Sequence, residues 1–154
     1  MIKVTILTIG KIKEDYIRQG INEYSKRLKP YCKIDFVELE PESFGRSDKI
    51  QKKEVENEKI LKFISKNNKS WIVALHEKGE GISSLKFSNM INNTPKDLLF
   101  VIGGSLGLNE EVLKKANFQL SLSNMTFLHE IARLILVEQI YRGIMIEKGK
   151  EYHY

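Results

Sequence analysis

The sequence predicts an α/β fold: a parallel sheet flanked by helices, in a single domain covering residues 1–154. Three observations carry this. Strand-like and helix-like patterns alternate from end to end, the arrangement that places helices on the faces of a parallel sheet. The run Leu98-Leu99-Phe100-Val101-Ile102 is continuously apolar, as befits a strand covered on both faces. That run empties into Gly103-Gly104-Ser105-Leu106-Gly107, where bare backbone lets a ligand approach at the carboxyl end of a strand.

Lys3 to Ile9 reads as the first strand, closed by Gly10. Asp15 to Leu28 carries Tyr16, Ile17, Ile21, Tyr24 and Leu28 at helical spacing, and Pro30 stops it. Ile34 to Leu39 alternates as a second strand. Pro41 to Ser47, centred on Phe44-Gly45-Arg46, is a loop. Asp48 followed by Gln51 resembles a capping box for a helix reaching about Ser65. Trp71 to Leu75 is a third strand, Glu77 to Gly81 a turn, and Ser83 or Ser84 caps a helix that Asn92-Asn93-Thr94-Pro95 breaks. Leu98 to Ile102 is the fourth strand. Asn109 caps the next helix, with Glu110 and Glu111 at its positive end. Phe118 to Leu122 makes a fifth strand. Leu128 to about Glu147 makes the longest helix, followed by a tail ending Glu151-Tyr152-His153-Tyr154.

Composition excludes several classes. With 154 residues, 42% hydrophobic and 29% charged, the chain is an ordinary globular one with enough length for a core. No apolar run approaches the roughly 20 residues of a membrane-spanning helix. The apolar stretch at the N-terminus is too short for a signal peptide, and no small-residue cleavage site follows it. Cys32 is the sole cysteine, so neither an internal disulfide nor a thiolate metal cage can form, and a reducing cytoplasm is expected. The net charge of +5 is mild. The clusters Lys26, Arg27, Lys29 and Arg46, Lys49, Lys52, Lys53 read as solvated helix faces or as phosphate contacts.

Three constellations can carry chemistry. The glycine run after the fourth strand is neither a Walker loop nor a full dinucleotide fingerprint, and no acid lies about 20 residues further on. It is either a tight turn or a ligand loop. Ser121 to Leu128 interleaves small hydroxyl residues with apolar ones. It is either an extended cap or a backbone-lined wall for a nucleoside, with Leu122 and Met125 on the faces of an adenine. The last helix carries Ile131, Leu134, Ile135, Ile140, Tyr141, Ile144 and Met145 over more than one face, a pattern suited to a partner subunit. On it, Glu138 and Arg142 are spaced as an ion pair, or Arg142 clamps a ligand anion. His129, at its start, reads as a packed or capping residue, and His153 lies in a tail that either frays or acts.

Taken together, Gly103-Gly104-x-x-Gly107, Leu120-Ser121-Leu122-Ser123-x-Met125-Thr126-Phe127, His129-x-x-x-Arg133, Glu138-Gln139-x-Tyr141-Arg142 and Tyr152-His153 resemble the ribosomal RNA large subunit methyltransferase H family of the SPOUT class. The resemblance spans the chain, with its specific motifs in residues 98–154. It implies a C-terminal trefoil knot, which periodicity does not show, and a homodimer. It implies methyl transfer from S-adenosylmethionine to N3 of a pseudouridine in 23S ribosomal RNA of the assembled ribosome, with no metal. By position, Leu75, Gly103, Gly104, Ser123, Asn124, Met125, Thr126, Phe127 and Leu128 would hold the donor. The Tyr152-His153 tail would reach the target base, His153 as base or orienter and Arg142 as its electrostatic partner. Leu128 stands where the family usually has proline, His76 where an acid is common, and Tyr154 where a basic residue usually follows the histidine. A non-catalytic RNA- or ribosome-binding dimer of the same fold is the alternative. A flavodoxin-type nucleotide binder would need phosphate motifs that this chain lacks.

Overall fold

The computed structural model describes residues 1–43 and 48–154. Five strands, β1 (Ile2–Ile9), β2 (Cys32–Leu39), β3 (Trp71–Gly81), β4 (Leu98–Ile102) and β5 (Phe118–Ser121), form one sheet in the order β2-β1-β4-β3-β5. Every pairing is parallel, with Ile6 opposite Phe36 and Phe100, and Val73 opposite Phe100 and Phe118. The helices are α1 (Asp15–Leu28), α2 (Lys49–Lys66), α3 (Ser84–Asn93), α4 (Glu110–Lys115) and α5 (His129–Glu147).

The two-residue period of the strands divides the core. Leu98, Phe100 and Ile102 join Val4, Ile6 and Val73 beneath α1, α3 and α5, whereas Leu99 and Val101 join Leu7, Ile9 and Ala74 beneath α2 and α4. All five β4 side chains are buried, so the continuous apolar run reflects cover on both faces. Helix α4 follows β4 on one face, while α1 and α3 follow β1 and β3 on the other. Neighbouring strand ends thus send the chain in opposite directions and open a crevice at their carboxyl ends.

Several boundaries differ from expectation. β3 does not end at Leu75. It bulges, and its pairing with β5 resumes at Glu80 and Gly81, so the expected turn from Glu77 to Gly81 is largely an excursion within the strand. β2 starts at Cys32, β5 stops at Ser121, and α5 starts at His129 with Leu128 as its N-cap. Asp48 sits at the N-cap of α2 but its side chain accepts no capping bond. The caps at Ser83 and Asn109 do form, through the backbone N–H groups of Lys86 and Val112. The centre of the loop expected from Pro41 to Ser47 lies outside the described residues.

After β5 the chain crosses the ends of β3 and β4 to start α5 beside β1. Glu130, 5% exposed, accepts from the backbone N–H groups of Lys13 (2.6 Å) and Glu14 (3.3 Å) at the mouth of α1. Glu14, the α1 N-cap, makes no capping bond of its own. A carboxylate from the last helix therefore serves the first. Arg133 donates to Thr8 Oγ1 (2.7 Å), the Gly10 carbonyl (3.3 Å) and Glu38 (2.8 Å).

Candidate functional site

The crossing creates a cleft of about 660 Å³ between the loop after β4 and the segment from Leu122 to Leu128. On one side stands the glycine loop. Gly103 leaves no room for a side chain, because a Cβ there would lie 2.9 Å from the backbone carbon of Gly107. Gly107 takes the left-handed conformation (φ +82°) and donates to the Gly104 carbonyl at 3.0 Å, closing the turn. A buried side chain of α2 fixes this loop from below. Asn57, 1% exposed, accepts from the Asn109 N–H (2.9 Å) and donates to the carbonyls of Gly107 (3.2 Å) and Lys53 (2.8 Å).

The opposite wall is tied to the β3 bulge. The Ser121 hydroxyl lies 3.1 Å from the Glu77 carbonyl oxygen and 2.9 Å from that of Ser123. Thr126 donates to Glu77 Oε2 at 2.7 Å, and Ser123 Oγ accepts from the Met125 N–H at 3.0 Å. Met125, Phe127 and Leu128 stay exposed on the rim. Of the residues that the resemblance assigns to the donor, Leu75, Gly103, Gly104, Ser123, Met125, Thr126, Phe127 and Leu128 line the cleft, while Asn124 does not. Sequence reasoning did not bring Lys53, Glu77, Leu108 or Ala132 to this site, and read His129 as packed or capping although it lines the cleft. A buried Glu56-Asn57 pair on the apolar stripe of α2 with Ile60 and Ile64 was the available signal for the support from α2.

A second constellation gathers at the far end of α5. Arg142 donates to Glu138 Oε1 from Nε (3.0 Å) and Nη2 (2.6 Å), and from Nη1 to His153 Nδ1 (3.1 Å). Tyr152 donates to the same Glu138 oxygen at 2.9 Å, and its oxygen lies 3.1 Å from that of Tyr24. Its ring meets Tyr141 edge-on, with 4.8 Å between centroids, and the Arg142 guanidinium sits 4.7 Å from its centre. Burial, then the hydrogen bonds to Tyr24 and Glu138, hold the Tyr152 phenol protonated well above the usual tyrosine range. The Glu138 bond likewise raises Arg142 against the opposing pull of burial. Because a guanidinium only donates, Nδ1 of His153 must be the acceptor, and a neutral ring then carries its proton on Nε2. The expected ion pair is present, with Glu138 holding Arg142, and Arg142 also holds the tail through His153.

The two constellations do not meet within one chain. Arg142 lies about 20 Å along α5 from His129, at the rise of an α-helix. What the cleft offers is apolar walls (Leu75, Ile102, Leu120, Leu122), unobstructed backbone at Gly103 and Gly104, and few fixed charges, a lining suited to a nucleoside.

Comparison with known proteins agrees with this geometry. The family described as "Predicted SPOUT methyltransferase" matches residues 2–153. Ribosomal RNA large subunit methyltransferase H of Clostridium botulinum is 44% identical, and that of Clostridium kluyveri 41%, each across 97% of this chain and 98% of the relative. The crystal structure of tRNA (m1G37) methyltransferase from Aquifex aeolicus superposes with a TM-score of 0.56 at 14% identity, over 92% of this chain and 69% of that one, a likeness of fold alone. By the reach of the family match and the identity of these full-length relatives, the chain belongs to the SPOUT methyltransferase family.

Proposed function

We propose that this protein transfers the methyl group of S-adenosylmethionine to N3 of a pseudouridine in 23S ribosomal RNA, acting in the cytoplasm on the assembled ribosome. The observation that carries the reading is the backbone-lined cleft at the strand ends, in a chain more than 40% identical to relatives named for this class of substrate. Leu75, Gly103, Gly104 and residues 123–128 would hold the donor, with Asn124 as a backbone contributor at most. The trefoil threading expected of the family belongs to this reading. When bound, the cofactor supplies an electrophilic methyl group, so the protein's task is chiefly proximity and alignment.

The remaining task is the proton on the target nitrogen and the charge left when it departs. With Nδ1 engaged by Arg142, His153 presents Nε2–H, a donor that can hold a carbonyl of the target base. This favours the orienting role over that of base. Arg142 lies beside it and stabilises negative charge on the ring. Glu138 and Tyr152 are positioning residues that keep Arg142 and the tail in place.

The distance along α5 supports a homodimer in which the tail of one copy completes the cleft of the other. Ile131, Leu134, Ile135 and Tyr141 are only half-buried on this chain and Tyr16 is 65% exposed, which leaves apolar surface for a second copy. The test is complementation. Co-expressed His153→Ala and Gly103→Val copies, each inactive alone, would restore about a quarter of wild-type methylation of unmodified ribosomes, since half the random dimers carry one intact composite site. No restoration on mixing defeats the shared site, and full activity of His153→Ala alone removes that residue from the mechanism. No observation favours the non-catalytic binding dimer. A calorimetric titration with S-adenosylmethionine that gave no saturable heat would do so.

A further inference from the structure

A second, smaller cavity of about 290 Å³ lies on the other side of the first turns of α5. Lys11, Arg18 and Arg133 bring three cations to it, against the single carboxylate of Glu38, and Asn22 and Phe36 complete the lining used here. Arg133 is 4% exposed. Its two terminal nitrogens are engaged by Glu38, Thr8 and Gly10, yet its Nε–H has no partner. Arg18 is held by Asp15 and by the Ile12 carbonyl. The cavity lining carries a net positive charge, and Lys11 supplies a cation that no carboxylate among the described residues neutralises.

We propose that this cavity is a phosphate subsite for the RNA substrate, seating a backbone phosphate next to the nucleotide being methylated. The proposal rests on the RNA methyltransferase reading above. Its position supports it: Ala132 lines the donor cleft and Arg133, the next residue, lines the cavity, so the two are separated by about one helix diameter, ~10 Å. A short stretch of nucleotide backbone covers that span. Lys11 donates to the phosphate oxygens, with Arg18 and the buried Arg133 adding positive potential behind it, Asn22 offers an amide, and the Phe36 ring gives an apolar surface for the attached ribose or base. Such a contact fixes register without reading sequence.

The experiment compares wild type with Lys11→Gln and with Lys11→Gln/Arg18→Gln, using unmodified ribosomes over a range of salt concentrations. Expected are a roughly tenfold higher KM for ribosomes in the double variant, unchanged kcat and unchanged affinity for S-adenosylmethionine. The salt dependence should flatten by about one unit of log–log slope per cation removed. The single variant, which disturbs no ion pair among the described residues, should show the same change in part even if the double variant folds poorly. An unchanged KM and slope in a well-folded single variant overturns the subsite. So does saturable binding of inorganic phosphate that Lys11→Gln abolishes while ribosome methylation is untouched, because the cavity would then serve a free anion. Should wild type itself fail to methylate ribosomes, the functional reading falls instead, and the two failures are distinct.

Discussion

Replacing Asn57 by alanine tests whether α2 holds the glycine loop that we propose grips the methyl donor. Asn57 makes two bonds across to that loop, at 2.9 and 3.2 Å, besides one within its own helix. Each cross-link contributes about 1 kcal/mol net, and the Asn109 N–H and Gly107 carbonyl lose their partner in a nearly sealed position. The loss is about 2–3 kcal/mol, or a fall in Tm of roughly 5–10 °C for a chain of this length. The loop would also be free to drift from the cofactor, weakening S-adenosylmethionine binding about tenfold, which corresponds to about 1.4 kcal/mol. Asn57→Asp keeps the acceptor for Asn109 but turns a carboxylate toward the Gly107 carbonyl, so it should be no better. Thermal melts and calorimetric titration with S-adenosylmethionine read both effects. A variant that melts with wild type and binds as tightly would refute the idea that this side chain shapes the cleft.

Other consequences are equally direct. Phe100→Ala empties the fully buried centre of β4, beside the Phe87 ring at 6.1 Å, and should cost about 3–5 kcal/mol in urea unfolding. Burial pushes the Cys32 thiol up to about 11, so thiol reagents at pH 8 should label the folded protein far more slowly than the unfolded one. The same shift makes the folded state retain a proton that the unfolded state gives up near pH 9. Stability should therefore fall by on the order of 2 kcal/mol between pH 9 and 11, a slope that Cys32→Ala removes. On the proposed function, Glu138→Ala should lower kcat at least tenfold while leaving donor binding unchanged, because Arg142 and Tyr152 lose their shared acceptor. An unchanged kcat would show that Glu138 positions nothing.

The regular elements were legible because their signals are local. Ile17, Ile21 and Leu28 mark the inner face of α1, and Asn109 with two acids behind it marks the start of α4. The glycine loop was legible for a related reason: only residues without a side chain fit at Gly103, and the left-handed turn at Gly107 favours glycine. What escaped depends on partners remote in sequence. The β3 bulge is visible only once β5 lies beside it, and its two glycines look like a turn. Asp48-x-x-Gln51 has the letters of a capping box without the bond. Lys53 reads as one more surface cation until the packing of α2 brings it to the cleft. Glu130 and Arg133 look like polar residues on a helix, and nothing near them announces that their acceptors and donors lie in the first forty residues.

Those two side chains have a consequence for how the protein is made. The strands carrying Val4, Ile6, Leu98, Phe100 and Ile102 are made well before Leu136, Val137, Ile140 and Ile144 emerge to cover them. Until then, Lys13 and Glu14 lack the carboxylate that later receives their N–H groups. The nascent polypeptide must therefore wait with an apolar flank open to water, closing only when its last helix arrives. Contacts so distant along the chain slow folding and prolong exposure to aggregation. Synthesis that stalls before α5 would leave a sticky, uncapped fragment, a natural client for chaperones.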